Sequence, residues 1–539
     1  MLTERAIVNA LIFAASLILV PYIISSTLTV DYLPAYLSCG LLAFFLCCFV
    51  LKDSLCMWPF LGGCISGTLN FLPLPLKATQ VFCFLLVTYY ITGYILIRQR
   101  PIKLGKTLFF WPIILITMIL LYHNHAFNVR ALGGGTEGSK PALLIYLVVL
   151  AYFCGINVIT PSVTFVSKMP GLCVILAFVS ALPFFLTTFI PGLAPFAYAI
   201  TDNVNTDAYF NSLAGDTGAP TAGIGRMLAF APIAGPLQMY LICKYPIATW
   251  LRPERWWIIG LSLIALILVL QTGFRNVLFG FVLIYLIGTW CHYSWRSVFA
   301  LAIPIIAAMA FVFVESNDLI DLPLDKLPLA AQRTLSFLPG DWDPEAIQTA
   351  EDSNGFRTNI INIYLKEDLH KSPWIGNGFD IDKGEYEYWQ QYAQTRQMSP
   401  EEASYVQAKI FIMGKLFHTG WLSMYDAVGI IGSIAFITLG INVICLSGHF
   451  VFGSNADNRS SLFPLYMWLF IGNLASIITF FTVFGDFKET FMGWCISAIV
   501  LSHLSDLENA SLLPAYTRES KTSVPFRPAV TGAYGYRSE

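Results

Sequence analysis

The chain has 539 residues, of which 56% are hydrophobic and only 12% charged, and its mean hydropathy is +0.66. Soluble proteins carry about 25% charged residues, so this composition excludes an ordinary soluble protein. The formal net charge of -2 leaves no basic excess to neutralise phosphates, which excludes a nucleic-acid-binding surface and nucleic acid as a partner.

Apolar runs separated by short polar breaks fill most of the chain, and most of them have the length of about 17 to 25 residues that a helix needs to cross a bilayer. We therefore predict an all-α polytopic membrane protein with about 14 transmembrane helices and a large, partly helical periplasmic loop. The predicted spans are 6–27, 33–51, 55–73, 78–97, 107–122, 142–160, 170–194, 224–243, 256–274, 277–291, 297–315, 419–445, 461–483 and 489–505.

This threading divides the chain into four parts. The predicted parts are a membrane domain with the first eleven helices at 1–315, the large loop with an amphipathic helix at 316–417, the last three membrane helices at 418–505 and a cytoplasmic tail at 506–539. The tail is rich in Ser, Thr, Pro and Gly and is predicted to be disordered. We interpret residues 1–27 as an uncleaved first helix and not as a secretory signal, because the apolar stretch is longer than a signal core.

The charges of the short connections support this topology, because cytoplasmic loops carry an excess of lysine and arginine. With the N-terminus inside, the opposite connections are sparse in both residue types. The basic residues on the cytoplasmic side are Arg98, Arg100, Lys103, Lys106, Lys168, Lys244, Arg252, Arg255, Arg296 and Arg459. Both termini are therefore predicted to be cytoplasmic, and the loops at 195–223 and 316–417 to lie outside.

The large loop is predicted to fold and to pack on the outer membrane face, since it contains Trp342, Trp374, Trp389 and helix signals. The segment Ser399-Pro400-Glu401-Glu402 has an N-cap serine, a proline at the first helical position and a capping-box glutamate. A helix is therefore predicted to begin there. Its apolar side chains recur at helical spacing at Val406, Ile410, Met413 and Phe417.

Two aspartate pairs in the loop, Asp341 with Asp343 and Asp380 with Asp382, have a spacing that can hold a divalent cation. Alternate carboxylates on an acidic loop are more often simply solvated, so we predict no metal site and no cofactor. All twelve cysteines lie in or beside apolar runs, which indicates small packing residues and not a disulfide scaffold.

Four cationic side chains mark the outer boundary of the predicted spans: Arg226, Arg275, Arg357 and His418. For one arginine alone, the simpler interpretation is a side chain that snorkels to lipid headgroups. If the arginines converge, their planar guanidinium groups suit a diphosphate, which they bind bidentately while charged at every relevant pH. His418 is either an amphipathic anchor at the interface or a general base for a hydroxyl group.

Taken in order, four stretches of the chain resemble the O-antigen ligase and O-antigen polymerase superfamily of bacterial envelope membrane proteins. They are Leu213-Ala214-Gly215 with Pro220 and the span near Arg226; Thr272-Gly273-Phe274-Arg275; Arg357 with Pro373-Trp374-Ile375-Gly376-Asn377-Gly378; and His418 with Gly429-Ile430-Ile431-Gly432. The resemblance covers residues 200–450. The sequence departs from the family at Thr419, where an asparagine commonly follows the histidine.

The resemblance implies a GT-C-like fold and a glycosyltransferase that uses a polyprenyl diphosphate carrier as donor, without metal, at the periplasmic face of the bacterial inner membrane. By the same resemblance, Arg275 and Arg357 bind the leaving diphosphate, Arg226 assists, and His418 activates or orients the acceptor hydroxyl. The implied partners are the lipid-linked glycan donor and acceptor, the lipid bilayer and a chain-length regulator protein.

Two alternatives to a polymerase stay open. A ligase of the same superfamily transfers the glycan to the lipid A core, whereas the many spans and the long outer loop favour a polymerase. A flippase or transporter for lipid-linked sugars would place polar sites near the midplane, often in repeated halves, and we find no clear internal repeat. The aromatic residues of the loop either line a glycan groove or form the core of the loop, and we favour the core.

Overall fold

The computed structural model describes most of the chain. The described residues are 51–70, 76–92, 107–123, 139–203, 228–292, 324–369, 371–379, 381–396, 398–417, 419–453 and 461–521.

The described part of the chain is mainly helical, with one short antiparallel hairpin, in which Thr68 pairs with Lys77 and Leu69 with Leu76. The helices are α1 (Trp58–Gly62), α2 (Ala78–Tyr90), α3 (Thr107–His123), α4 (Ser139–Gly155), α5 (Val163–Phe189), α6 (Ala194–Ile200), α7 (Ala231–Lys244), α8 (Trp256–Gln271), α9 (Arg275–Cys291), α10 (Leu329–Leu335), α11 (Pro344–Glu367), α12 (Lys383–Thr395), α13 (Pro400–Met413), α14 (Gly420–Phe452), α15 (Phe463–Thr482) and α16 (Phe487–Lys521). The strands are β1 (Thr68–Leu69) and β2 (Leu76–Lys77), and the 3-10 turns are Lys52–Met57, Pro191–Leu193, Leu228–Phe230, Ile247–Thr249, Pro253–Arg255 and Leu324–Lys326.

Five described helices are long and apolar enough to cross a membrane. They are Val163–Phe189, Pro253–Gln271, Gly420–Phe452, Phe463–Thr482 and Phe487–Glu508. Shorter apolar helices accompany them at Ala78–Tyr90, Leu108–His123, Pro141–Gly155 and Arg275–Cys291. These helices agree with the prediction of an α-helical membrane protein. The predicted spans 6–27 and 297–315, and all of 33–51 except its last residue, lie outside the described residues.

Helix α14 is packed against α3, α15 and α16. Its Phe436 ring lies against the Trp494 ring of α16, with centroids 4.4 Å apart. One turn further on, a Cβ added to Gly440 would lie 2.5 Å from Cη2 of Trp494, so only a residue without a side chain fits there. Membrane helices associate through such close contacts of small residues, because burial from lipid supplies little driving force.

The predicted span 55–73 is helical only in its first part. Helix α1 ends at Gly62, and the chain then turns through Gly67, whose φ of +83° favours glycine, into the β hairpin. The turn is held from far along the chain, since Thr68 N donates to Asp202 Oδ1 at 2.6 Å and Asn70 N donates to Ile200 O at 2.9 Å. Hydropathy alone does not report these contacts.

The large loop forms a helical layer made of α10 to α13, and its core continues into the start of α14. The buried core residues of this layer are Ile360, Ile363, Tyr364, Ala408, Ile412, Phe417 and Leu422. The predicted start of α13 is confirmed, because Ser399 Oγ accepts a hydrogen bond from Glu402 N at 3.2 Å with Pro400 in the first turn. The aromatic side chains pack on one another, with the Trp389 and Tyr405 rings 5.9 Å apart.

The loop aspartates have structural roles at helix starts. Asp343 caps α11 by accepting from Glu345 N at 2.8 Å, and Asp382 caps α12 by accepting from Glu385 N at 3.2 Å. Asp341 is exposed and Asp380 lies outside the described residues. Capping therefore accounts for one aspartate of each pair.

The final helix is longer than expected. It continues to Lys521, whereas the sequence predicts a disordered tail from Asp506 onwards. Residues 522–539 of that predicted tail lie outside the described part of the chain.

Candidate functional site

Arg275 is held by a tight turn between two apolar helices. Helix α8 ends at Gln271, Thr272 Oγ1 donates back to Val269 O at 2.7 Å, and Gly273 has a φ of +70°. This is the left-handed conformation that commonly follows a helix C-terminus and that glycine adopts without strain. Arg275 is the first residue of α9, and its side chain is half-buried beside this turn.

The loop helix α10 docks on that turn. Arg275 Nε donates to Arg333 O at 3.3 Å and Nη2 donates to Ser336 Oγ at 2.7 Å. In the opposite direction, Arg333 Nη1 donates to Gly273 O at 3.5 Å. A second arginine, which the sequence analysis did not select, is thereby placed next to Arg275.

Arg357 lies in α11 and completes a group that we call the arginine cluster, Arg275, Arg333 and Arg357. Its side chain is half-buried, and burial lowers its pKa. The positive charge of Arg275 lowers the same pKa further, which shows that the two guanidinium groups repel each other. Arg357 nevertheless stays cationic, since arginine does not lose its proton in proteins.

Of the charges of Arg275 and Arg357, only that of Arg275 is near a carboxylate among the described residues. Glu351, which is exposed, is close enough to interact electrostatically with Arg275. Among the described residues, Arg357 makes no hydrogen bond or ion pair. A half-buried cation beside another cation, without a protein acceptor in this part of the chain, is the arrangement that an anionic ligand would stabilise.

The structure therefore brings together two of the four predicted site residues, Arg275 and Arg357. The other two, Arg226 and His418, lie outside the described residues. The residues on either side of His418 are described: Phe417 is buried in the loop core, and Thr419 precedes the first residue of α14.

Helix α14 is interrupted at Gly429, and the segment 373–378 of the large loop fills the break. Gly429 has a non-helical φ of +61°, so the chain does not continue its own hydrogen bonds there. The loop segment supplies them, since Ile430 N donates to Pro373 O at 2.9 Å and Ile431 N donates to Trp374 O at 3.0 Å. Two stretches on which the family resemblance rests are thus in direct contact.

Three glycines make this crossing of backbones fit. Gly376 and Gly378 have φ of +72° and +66°, and a Cβ on Gly376 would lie 2.6 Å from the backbone nitrogens of Val428 and Gly429. A Cβ on Gly378 would lie 2.7 Å from the Cβ of His123, at the end of α3. His123 Nε2 donates to Ile375 O at 2.9 Å and so holds the segment against the end of α3.

A buried carboxylate of α14, Asp426, binds side chains of this segment and of two other parts of the large loop. We call this group the Asp426 cluster. Asp426 is 3% exposed and accepts from Lys415 Nζ at 2.6 Å, from Asn377 Nδ2 at 2.8 Å and from Tyr364 Oη at 3.1 Å. Burial and the nearby Asp426 charge raise the pKa of Tyr364, which keeps its hydroxyl as a donor. The cluster links α11, α14 and the turn that precedes His418.

Sequence reasoning missed Arg333, Lys415 and Asp426. A signal for Asp426 was present, because it is the one acidic residue in the otherwise apolar predicted span 419–445. A charge inside an apolar span is costly and therefore marks a paired or functional residue. Lys415 gave no such signal, because it lies in the polar loop and not in an apolar span. Its unusual φ of +56° is visible only in the structure.

No protein-family model, curated protein or solved structure matches this chain.

Proposed function

We propose that this protein is a polymerase of surface polysaccharide of the O-antigen type. It transfers a glycan from a polyprenyl diphosphate carrier to the acceptor sugar of another lipid-linked repeat unit. The observation that carries the proposal is the pair Arg275 and Arg357, two cations held within electrostatic reach of each other. Arg357 is the stronger indication, since it has no protein acceptor among the described residues.

The chemistry of such a transfer suits a cationic site. The acceptor oxygen forms a bond to the anomeric carbon while the bond from that carbon to the carrier phosphate breaks, and the diphosphate leaves with the bonding electrons. Arg275 and Arg357 would bind this leaving group as its negative charge grows, with assistance from Arg226. Fixed donors to a developing charge are each worth about a hundredfold to a thousandfold in rate.

His418 would take the proton of the acceptor hydroxyl as general base. Its place in the chain supports this role, because it follows Phe417 of the loop core and precedes α14. General-base catalysis contributes about a hundredfold to ten-thousandfold. The arginines, which neutralise the diphosphate themselves, make the proposed reaction independent of metal.

The same proposal includes a location and a topology. The chain would cross the bacterial inner membrane about fourteen times in a GT-C-like fold, with both termini in the cytoplasm and the site on the periplasmic side. The five membrane-sized helices and the basic residues of the short connections support this arrangement.

The acceptor distinguishes the polymerase from the alternatives. Deletion of the gene should leave single repeat units on the carrier at the periplasmic face of the membrane. Polymer that stays on its carrier would identify a ligase, and repeat units retained on the cytoplasmic face would identify a flippase.

The direct test uses purified protein, a polyprenyl diphosphate-linked repeat unit and EDTA. Wild type should form polymer, whereas Arg275→Ala and His418→Ala should each slow it about a hundredfold or more. Arg396→Ala is the matched control. Arg396 is an exposed arginine of the large loop, and its guanidinium group stacks on the ring of Tyr392. Full activity in both site variants would overturn the proposed site, and no polymer from wild type would overturn the polymerase.

A further inference from the structure

A second polar region lies at the start of α16, and no arginine is among its described lining residues. It is a cavity of about 580 Å³ between α1, the β hairpin, α15 and α16. Its volume lies in the range of about 300 to 1,000 Å³ that is typical of small-molecule sites. Hydroxyl, amide and indole groups line it, including Thr79, Asn473, Ser476, Thr490, Trp494 and Ser497.

Several hydroxyl groups of this cavity have no hydrogen-bond partner in the part of the chain that the structure describes. Thr479 and Thr482 of α15 donate to the carbonyls of Ala475 and Ile478, four residues back, as helical hydroxyls in apolar surroundings usually do. Ser476 of the same helix makes no such bond, and its hydroxyl has no partner among the described residues. The same holds for Thr79 and Thr490 in this part of the chain.

Trp494 adds a buried donor. The residue is 1% exposed, its ring is wedged against Gly440 and Phe436, and its indole N–H has no acceptor among the described residues. A buried donor without a partner destabilises the folded state. Trp494 lines the cavity, so a ligand that accepts hydrogen bonds there would satisfy this donor.

The charge of the lining identifies the kind of ligand. Among the described lining residues, Lys77 and Glu489 are the only charged ones, and they pair with each other at 2.9 Å. The net charge of this part of the lining is therefore zero, in contrast to the arginine cluster. Hydroxyls, amides and an indole without net charge complement a neutral group with many hydroxyls, and they offer little to a phosphate.

The position of the cavity relates it to the crossing at Gly429. Phe487, the first residue of α16, stacks on Phe379, directly after the loop segment 373–378. Its backbone N–H donates to Ser423 Oγ of α14 at 3.2 Å. The cavity thus lies at the end of α16 that touches the first turn of α14, just after His418 in the chain.

We propose that this cavity binds a glycosyl group of the acceptor, held by hydrogen bonds to the hydroxyls of Ser476 and Thr490 and to the Trp494 indole. The identification of the sugar as that of the lipid-linked acceptor rests on the proposed function, whereas the preference for a neutral polyol rests on the lining alone.

Cys64 lines the cavity and provides a native reporter. The purified protein is labelled with N-ethylmaleimide and the modification of each cysteine is followed by peptide mass spectrometry. Two probes are added separately: the lipid-linked repeat unit and the same glycan released from its lipid. At about ten times the dissociation constant, each should slow the labelling of Cys64 about tenfold by occupancy, while the exposed Cys445 of α14 is unaffected.

Two variants and one anion sharpen the test. Ser476→Leu and Thr490→Val should abolish the protection of Cys64 by the free glycan, whereas Thr482→Val on the same helix, outside the cavity, should retain it. Inorganic pyrophosphate should not protect Cys64. Protection by pyrophosphate, protection by neither glycan, or unchanged protection in both cavity variants would overturn the assignment.

The two proposals fail differently. If wild type forms polymer but neither glycan protects Cys64, the cavity assignment is wrong and the polymerase stands. If both glycans protect Cys64 and no polymer forms, the cavity binds sugar in a protein of another function.

Discussion

The arginine cluster and the Asp426 cluster are both charged, and both join the large loop to the membrane-sized helices, but they differ in how their charges are matched. Asp426 is surrounded by three donors, from Lys415, Asn377 and Tyr364. Arg357 lies beside another cation and has no acceptor among the described residues.

This difference separates stability from function. A buried carboxylate with its donors in place holds elements together, and its loss leaves an uncompensated charge. A cation without a protein acceptor lowers the free energy of unfolding. Binding sites commonly contain such destabilising groups, because function depends on them. Substitutions in the Asp426 cluster should therefore lower stability, whereas substitution of Arg357 should lower activity and leave stability unchanged or slightly higher.

The largest effect is expected at the crossing that the Asp426 cluster supports. Gly429→Ala places a Cβ against the backbone of Trp374, Ile375 and Gly376 at a positive φ, so the loop segment cannot remain in the break. We expect a loss of more than about 4 kcal/mol in the free energy of unfolding, which belongs to the exceptional substitutions. Thermal unfolding of the purified protein in detergent measures it.

Gly260→Ala is the matched control for this substitution. A Cβ on Gly260, in α8, would meet nothing within 4 Å. Alanine is a better helix former than glycine by about 1 kcal/mol, so the control should be neutral or slightly stabilising. A Gly429→Ala protein as stable as this control would show that the crossing does not hold the loop.

The next effect concerns the charge balance of the Asp426 cluster. Asp426→Ala leaves Lys415 without its carboxylate and should cost about 3–5 kcal/mol, the range for a broken buried pair. The double substitution Asp426→Leu with Lys415→Met removes both charges and should recover part of that stability. Chemical unfolding of wild type, Asp426→Leu, Lys415→Met and the double variant gives the coupling between the two positions. A double variant less stable than Asp426→Ala would contradict the pairing.

The smallest effect on stability, with a large effect on activity, is expected at Arg357. Arg357→Ala should slow polymer formation about a hundredfold to a thousandfold, since one donor to the diphosphate is lost. Its melting temperature should not fall, because a repulsion with Arg275 is relieved. Arg357→Lys keeps the charge without the planar fork and should be intermediate in rate.

Both quantities are measured on the same preparations, by polymer formation and by thermal unfolding. If Arg357→Ala lost stability as Asp426→Ala does and kept its specific activity, the distinction between the two clusters would be lost.

Local features were predicted well from the sequence. The start of α13 at Ser399-Pro400 is confirmed, because capping joins residues three positions apart. Arg275 was selected from a short turn with a glycine, and the turn is found with Gly273 at positive φ. The span 55–73 was predicted wrongly beyond Gly62, because the hairpin is held by Asp202 and Ile200, far away in the sequence.

Within the site, the sequence selected Arg275 and Arg357 but not Arg333. Arg333 has no motif around it, and it joins the cluster only because its carbonyl accepts from Arg275 and its guanidinium donates to Gly273. Asp426 was detectable as a lone acid in an apolar span, although its donors were not.

The sequence by itself determined that the chain has helices long and apolar enough to cross a membrane and where many of them begin, since hydropathy, helical periodicity and capping act over a few neighbouring residues. The tertiary structure decided that Arg357 lies beside Arg275, that the segment 373–378 fills the break at Gly429, and that Asp426 meets Lys415. These are contacts between helices and loops far apart in the chain, and their energy comes from packing and charge pairing, which no local pattern encodes.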